Sequence, residues 1–259
     1  ALNLKERILN KQSNWIAGLV LTAIAGAASA VPITATTVTS NWHDTVGQAG
    51  ANIVENVSFG RVDADPGDGF NQARWGRPSG TATPGRSGLG FRSDAPVAGI
   101  VLETPFDLGD LRHYNWTIGG GTVATQSQLD ISATLDLDGS SQGPFTFTSA
   151  FIIDETPNRV PCPYPSDTPC SDRITFENVA GSDTFNIGGV EYTLSILGFG
   201  DTAAALEDFF ISQEGGTRET NLWAVITAVE PPPPVPEPAP LALLALGLVG
   251  LGWFNRRKG

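Results

Sequence analysis

The stretch QLDISATLDL, from Gln128 to Leu137, alternates polar and apolar residues without a break. Successive side chains of a β-strand point to opposite faces of the sheet, so this spacing places every apolar residue of the stretch on one face. The residues concerned are Leu129, Ile131, Ala133, Leu135 and Leu137. The stretch therefore predicts a long strand with one buried face.

The same alternation returns later in the chain, in FTFTSAFII (145–153), VEYTLSI (190–196) and LWAVIT (222–227). Gly, Pro, Asn and Asp separate these short runs, which is typical of antiparallel strands joined by turns. The pair Gly188-Gly189 predicts a hairpin turn. Only TAAALEDFF (202–210) has helical character, and we expect a short turn or helix there.

Two antiparallel sheets packed face to face bury the apolar faces of such strands. We therefore predict an all-β ectodomain over residues 31–230, a β-sandwich of jelly-roll-like form. A domain of about 200 residues is large enough to fold around its own core. The sequence shows no repeat of fixed period, which argues against a propeller or a solenoid.

Charge is distributed unevenly along the 259-residue chain, whose formal net charge is -12. Residues 31–230 contain nine Arg, no Lys and 25 Asp or Glu, which gives -16. Such a surface repels phosphate backbones and anionic lipid headgroups, so we expect no nucleic-acid partner and no membrane docking through a basic patch. Cations and neutral sugars remain as partners, unless the acidity serves only to keep an exported protein soluble.

Residues 1–30 have the three-part layout of a secretory signal peptide. Basic residues precede an apolar run, and Ala28 and Ala30 supply the small residues that signal peptidase accepts at its cleavage site. We expect this segment to form the signal-peptide helix and to be removed. A retained amphipathic helix is the alternative.

A proline-rich segment, residues 231–240, follows the predicted ectodomain. Proline fixes the backbone and lacks an amide donor, so the segment favours an extended polyproline II conformation. It contains the motif Val235, Pro236, Glu237, Pro238, which an extended chain presents to an enzyme at the membrane face.

An apolar segment and a basic end follow. Residues 241–254 predict a transmembrane helix, although 14 apolar residues are fewer than the roughly 20 that span a bilayer comfortably. Residues 255–259 include Arg256, Arg257 and Lys258, and such a cluster stays on the cytoplasmic side. We therefore expect a transient membrane contact through this helix, with the ectodomain on the outer side of the membrane.

The order of Pro-Glu-Pro motif, apolar segment and basic end resembles the PEP-CTERM sorting signal. Signals of this kind are recognised by an exosortase in Gram-negative bacteria that make exopolysaccharide. The resemblance implies that the tail is removed and that the ectodomain reaches the cell surface or the extracellular matrix of a biofilm. A plain C-terminal anchor without processing is the alternative.

Five stretches of the predicted ectodomain resemble the ordered motifs of the THxN family of PEP-CTERM proteins. They are NQARWGRP (71–78), SGLGF (87–91), LRHYNW (111–116), ETPN (155–158) and NLWAVIT (221–227). Arg112 stands where the family's name motif has Thr, whereas His113 and Asn115 are retained. The family has no activity that transfers to this chain, so the resemblance implies location and architecture and makes no residue catalytic.

Cys162 and Cys170 are the two cysteines of the chain. We expect them to form a disulfide in an oxidising exterior. A loop of this length gives a chain-entropy benefit of about 2–3 kcal/mol, so the bond mainly orders the loop. A redox or metal-binding pair is the weaker alternative, because no third soft ligand is present.

Aromatic and basic residues at positions 74–77 are candidate ligand-binding residues. Trp75 lies between Arg74 and Gly76 in a stretch rich in Gly and Pro, so we expect an exposed ring on which a sugar stacks. Arg74 and Arg77 would donate hydrogen bonds to sugar hydroxyls or carboxylates.

His113 and Asn115 share one face of a predicted strand and are further candidates. They form either a polar site, with His113 as base or ligand, or a hydrogen-bond brace at the end of the strand. The brace is preferred, because no nucleophile or orienting acid can be assigned beside His113. His43 has no spacing pattern that makes it a second ligand, so we expect no zinc site.

Asp63, Asp65 and Asp68 lie near two glycines, as acids do in calcium-binding loops. The spacing fails the EF-hand template, since the third acid and the glycine fall one place late and no Glu closes the loop. We therefore expect weak structural Ca²⁺ binding at most, and no other cofactor.

These observations leave three functional hypotheses. The first is a non-enzymatic surface or matrix protein, held in an exopolysaccharide layer. The second is a carbohydrate-binding module that uses Trp75, and the third is a glycan-acting enzyme, for which the sequence nominates no acid pair. Burial of both Trp75 and His113 leaves the structural hypothesis, whereas an open groove shared by the two favours the others.

Overall fold

The computed structural model describes residues 32–59, 67–79, 85–166, 169–177 and 181–229, and the regular structure in these ranges is β-strand. The strands are β1 (Ile33–Gly47), β2 (Val54–Val57), β3 (Asn71–Trp75), β4 (Ser87–Ser93), β5 (Val97–Ile100), β6 (Phe106–Asn115), β7 (Ala124–Leu137), β8 (Ser140–Asp154), β9 (Asp172–Glu177), β10 (Gly181–Ile187), β11 (Val190–Thr202), β12 (Ala205–Glu207), β13 (Phe209–Ser212) and β14 (Gly216–Val229). The ranges contain no helix long and apolar enough to cross a membrane. The predicted signal peptide, proline-rich segment, transmembrane helix and basic tail lie outside them.

The strands form two antiparallel sheets. The first sheet has six strands in the order β13-β9-β8-β7-β1-β5. The second has eight, in the order β10-β11-β14-β6-β4-β3-β2 with β12 paired to β11. Buried side chains from both sheets form one hydrophobic cluster. The prediction of an all-β ectodomain is confirmed.

Strand β7 lies inside the first sheet, between β1 and β8. The five apolar residues that the sequence places on one face of this strand are all buried, each with 1% of its surface exposed or less. The alternating polar residues lie on the other face, where Asp130 accepts a hydrogen bond from the Thr148 hydroxyl at 2.6 Å. The stretch from Gln128 to Leu137 therefore builds the half-buried strand that its spacing predicts.

An aromatic group connects the two sheets through the core. The ring of Phe151, in β8 of the first sheet, lies 5.6 Å from the ring of Trp42 and 5.9 Å from that of Phe199. Phe199 belongs to β11 of the second sheet, and Phe176 lies 4.8 Å from it and 5.9 Å from Phe151. Tilted and edge-on ring pairs each contribute about 0.5–1.5 kcal/mol beyond the burial of apolar area. The sheets are thus held together by a packed aromatic centre.

The hairpin predicted at Gly188-Gly189 and the short turn or helix predicted over residues 202–210 have different outcomes. The hairpin is confirmed, because Gly188 and Gly189 both have positive φ and join β10 to β11. For residues 202–210 the helix alternative is wrong and the turn alternative is confirmed, since a turn at residues 203–204 joins the end of β11 to β12, and β13 begins at Phe209. Pairing of β13 with β9 buries the Phe210 ring in the core, and this burial outweighs the weak helix preference of a short segment.

The predicted disulfide between Cys162 and Cys170 is present. It lies in the connection from β8 to β9, and Cys170 is fully buried. The two residues that follow, Ser171 and Asp172, are buried as well. The disulfide therefore fixes the chain directly before a buried carboxylate at the start of β9.

Cationic and aromatic side chains stack on the face of the second sheet that lies opposite the core. The Arg112 guanidinium lies 3.9 Å from the ring centroid of Phe70 and 5.6 Å from that of Tyr114. The Arg74 guanidinium lies 4.1 Å from the Tyr114 centroid. Asp68 accepts hydrogen bonds of 2.6 Å from both the Tyr114 hydroxyl and Arg112. Arg112, which replaces the Thr of the resembled motif, is thus part of a packed outer layer.

Candidate functional site

Trp75 is the sequence-predicted residue whose position differs most from expectation. It is the last residue of β3 and has 0% of its surface exposed, so the prediction of an exposed, sugar-stacking ring is wrong. Its indole Nε1 donates a hydrogen bond of 2.6 Å to the Glu155 carboxyl group. The strand continues to Trp75 before the Gly- and Pro-rich segment begins, and pairing with β4 carries the ring into the core.

The two neighbouring arginines do not share a surface with Trp75. Arg74 alternates with Trp75 along β3 and is buried in the outer layer against Tyr114. Arg77 is exposed, and its backbone carbonyl accepts a hydrogen bond from the Gly119 amide at 2.8 Å. The three predicted ligand-binding residues therefore form no common platform.

His113 and Asn115 lie together on the inner face of β6, as their spacing predicts. Both residues have 0% of their surface exposed. The His113 ring lies 6.4 Å from the Trp75 ring, nearly parallel to it, and 6.2 Å from that of Phe210. The Asn115 amide donates a hydrogen bond of 2.8 Å to the Ser212 carbonyl. The hydrogen-bond brace is confirmed for Asn115 but is wrong for His113, which has no hydrogen-bond partner among the described residues.

Two acids that the sequence analysis did not select lie beside His113. Glu155 directly follows β8, and Asp172 begins β9. One donor atom from each of His113, Glu155 and Asp172 lies within 4.8 Å of the other two, and we call these three residues the His-acid cluster. The backbone amide of Thr156 donates a hydrogen bond of 2.7 Å to Asp172 and holds one of its oxygens in place.

Burial shifts the pKa values of all three members of the His-acid cluster. Burial and the Asp172 charge raise the pKa of Glu155 well above its ordinary value. Burial, with the Glu214 charge adding to it, raises the pKa of Asp172 to about 7. Burial and the Arg74 charge lower the pKa of His113 to about 3, so the imidazole is neutral at physiological pH. The cluster thus holds a neutral imidazole beside two carboxyl groups that are hydrogen-bonded to each other and whose pKa values are both raised.

Several buried polar atoms near the cluster have no hydrogen-bond partner within the described ranges. They are both ring nitrogens of His113, Glu214 Oε1 and Asn115 Oδ1. An unsatisfied buried polar group costs about 1–3 kcal/mol, and native proteins contain few of them. Imidazole and carboxyl groups with unfilled hydrogen-bonding capacity therefore collect in this part of the core.

A cleft of about 380 Å³ leads to this region from the surface. The turn Gly119–Gly121 lines one side of it, and Glu155, Thr156 and Asn158 line another. Glu155 borders the cleft, whereas His113 and Asp172 are buried behind it. The cleft therefore reaches one member of the His-acid cluster, and no aromatic ring on which a sugar could stack is among the residues that line it.

The remaining predicted metal ligands are used elsewhere or lie outside the described residues. Both His43 ring nitrogens face carboxylates, Asp44 at 3.0 Å and Asp130 at 3.2 Å, and so His43 does not join His113. Asp68 is occupied by the donors of the outer layer. Asp63 and Asp65 fall outside the described residues.

The sequence carries only a weak signal for the His-acid cluster. Glu155 opens the ETPN stretch, and Asp172 follows the second cysteine after one residue. His113 lies far from both in the chain, and no short motif contains all three. Strand pairing brings them together, since β6 belongs to the second sheet and β8 and β9 to the first.

Comparison with known proteins identifies the tail of the chain. Residues 234–258 match the family model described as the PEP-CTERM protein-sorting motif. No curated protein matches the chain. The matched range includes the Pro236-Glu237-Pro238 motif, the apolar segment and the basic residues, as the sequence predicts. The chain therefore carries a PEP-CTERM sorting motif, which implies export, processing by exosortase and sorting to the cell surface.

Proposed function

We propose that this chain is a non-enzymatic protein of the cell surface or extracellular matrix, held in an exopolysaccharide layer. In this proposal signal peptidase removes residues 1–30 and exosortase removes the C-terminal tail. The body is a jelly-roll-like β-sandwich of the THxN family of PEP-CTERM proteins. The sorting motif at residues 234–258 supports the route, and the two sheets with a common core support the architecture.

The burial of Trp75 and His113 is the observation that carries the structural role. Trp75, His113 and Asn115 belong to the stretches that resemble motifs of the THxN family, and their side chains pack between the sheets. Such residues specify a fold rather than contact a ligand at the surface. The carbohydrate-binding alternative loses its stacking residue, because Trp75 is enclosed and Arg74 points to the opposite face of the sheet.

The charge of the body fits a matrix location. Residues 31–230 carry a formal charge of -16 and contain no Lys. A strongly anionic surface keeps an exported protein soluble and attracts cations, which can bridge it to acidic polysaccharide. We propose that the body associates with the exopolysaccharide through such diffuse contacts.

Expression in an exopolysaccharide-producing Gram-negative host, with and without its exosortase, tests the sorting step. A variant with Pro236→Ala, Glu237→Ala and Pro238→Ala removes the motif, and Pro232→Ala with Pro233→Ala is the matched control in the same segment. We expect the wild type and the control to be trimmed only when exosortase is present, and the motif variant to keep its tail. Trimming that is independent of both enzyme and motif would refute the sorting proposal.

Fractionation of the same cultures tests the matrix role separately. We expect the trimmed body to sediment with the polysaccharide and to be released by polysaccharide-degrading enzymes or by high salt, which screens charge. A trimmed body found free in the medium would refute the matrix role and leave the sorting proposal intact.

A further inference from the structure

The His-acid cluster has the donor set of a metal site that joins two sheets. His113 comes from β6 of the second sheet, Asp172 from β9 of the first, and Glu155 directly follows β8. Their donor atoms lie within 4.8 Å of one another. Donor atoms around a tetrahedral ion with bonds of about 2.0–2.2 Å are about 3.3–3.6 Å apart. The separations in the cluster, at most 4.8 Å, are longer by about an ångström, which small side-chain movements can remove.

The unpartnered atoms of the cluster point independently to a ligand. His113 is completely buried, and neither of its ring nitrogens has a hydrogen-bond partner in the described part of the chain. Asp172 is equally buried, and its carboxyl group is hydrogen-bonded to that of Glu155 and to the Thr156 amide. Buried polar side chains normally satisfy their hydrogen bonds, and a cation bound in place of the proton between the two acids would give His113 a partner.

We propose that His113, Glu155 and Asp172 bind one divalent transition-metal ion, and that Zn²⁺ is the ion that fits best. Imidazole nitrogen and carboxylate oxygen are both zinc ligands, and three protein ligands leave the fourth tetrahedral position to water. Ca²⁺ and Mg²⁺ bind oxygen donors, so the buried imidazole argues against both. This proposal replaces the sequence-based expectation of no zinc site, which paired His113 with His43 and did not consider the two acids.

Three features next to the His-acid cluster favour a bound metal ion: a cleft, a further carboxyl group and the disulfide. The cleft lined by Glu155 brings solvent to one of the three proposed ligands. Glu214, at the turn between β13 and β14, is hydrogen-bonded to Thr117 and Asn158, and its negative charge acts on both Glu155 and Asp172 and adds to the attraction for a cation. The Cys162–Cys170 disulfide fixes the chain before Asp172. A bound ion would therefore cross-link the two sheets beside the disulfide, a role that does not depend on how the protein is sorted.

Metal titration of the full chain, purified in mild detergent and stripped with chelator, tests the proposal. Zn²⁺ alone is the ligand, the stoichiometry is measured by elemental analysis, and Co²⁺ serves as the spectroscopic probe. We expect one Zn²⁺ per chain, a higher melting temperature with Zn²⁺, and Co²⁺ absorption bands of a four- or five-coordinate site with nitrogen and oxygen donors. A folded wild-type chain that takes up no Zn²⁺ would overturn the proposal.

Variants locate the site. Glu155→Gln and Asp172→Asn retain acceptors for Trp75 and Thr156, and we expect each to weaken Zn²⁺ binding at least tenfold. His113→Phe fills the same space without a donor, so it should abolish binding while the metal-free chain melts at the wild-type temperature or higher. Asp94→Asn, in a surface acid group formed with Asp107 and Asp110, is the control and should bind as the wild type does. Wild-type affinity in both cluster-acid variants, or loss of binding in Asp94→Asn, would place the ion elsewhere and contradict the assignment.

Discussion

Replacing Phe151 by Ala tests the packing of the two sheets on a common core. Phe151 is fully buried in the first sheet, and its ring contacts those of Trp42, Phe176 and Phe199. Phe199 belongs to the second sheet, so the substitution removes a contact that crosses between the sheets. Phe209, at the edge of the first sheet and 38% exposed, provides the matched control.

The expected loss follows from burial and from the ring contacts. Truncation of a buried Phe to Ala costs about 3–5 kcal/mol of the free energy of unfolding. Three aromatic contacts place Phe151→Ala in the upper part of that range, at about 4–5 kcal/mol. In a domain of about 200 residues each kcal/mol lowers the melting temperature by roughly 2–4 °C, so we expect a decrease of about 8–20 °C.

Urea unfolding of the full chain, followed by tryptophan fluorescence, measures the loss. Phe209→Ala should lower the free energy of unfolding by no more than about 1 kcal/mol, because its ring is partly solvated and contacts mainly the Arg173 guanidinium, 4.2 Å away. Equal losses in the two variants, or a loss below about 1 kcal/mol in Phe151→Ala, would refute the shared aromatic core.

Three further predictions concern the described ectodomain. In the presence of chelator, the raised pKa values of Glu155 and Asp172 mean that the folded state binds protons that the unfolded state releases, whereas the lowered pKa of His113 acts in the opposite direction up to about pH 6.5. Two acids outweigh one imidazole, so the free energy of unfolding should fall as pH rises from about 4.5 to about 7. Asp172→Asn should flatten this dependence in urea unfolding across that range, and a wild-type slope in the variant would contradict it. Replacing Cys162 and Cys170 together by Ser should cost about 2–3 kcal/mol in the same assay, and an unchanged urea midpoint would show that the disulfide does not stabilise the fold. Arg112→Thr, which introduces the Thr of the resembled motif, should cost about 1–2 kcal/mol because Asp68 and the stacked rings lose a charged partner; a gain in stability would argue against the outer layer.

Local periodicity and turn chemistry were enough to predict most of the fold class. The alternation from Gln128 to Leu137 gives the orientation of β7, because the two-residue repeat of a strand fixes which side chains share a face. The hairpin at Gly188-Gly189 follows from the positive φ that glycine accepts. Strand order and sheet membership depend on pairing between distant segments, which no local pattern contains.

The candidate site was predictable only in part, for the same physical reason. His113 and Asn115 were correctly placed on one strand face. The composition around Trp75 suggested a surface loop, but the burial of its ring depends on strands that pack over it from elsewhere in the chain. Glu155 and Asp172 meet His113 only after the sheets assemble, so their sequence positions gave no spacing to recognise.

The intact mass of the protein recovered from the cell surface tests the central claim most directly. We predict a species that has lost residues 1–30 at one end and, at the other, the apolar segment and basic residues of the PEP-CTERM motif, while it retains the Cys162–Cys170 disulfide. A surface species whose mass still includes residues 241–259 would contradict the claim that the tail is a sorting signal removed by exosortase.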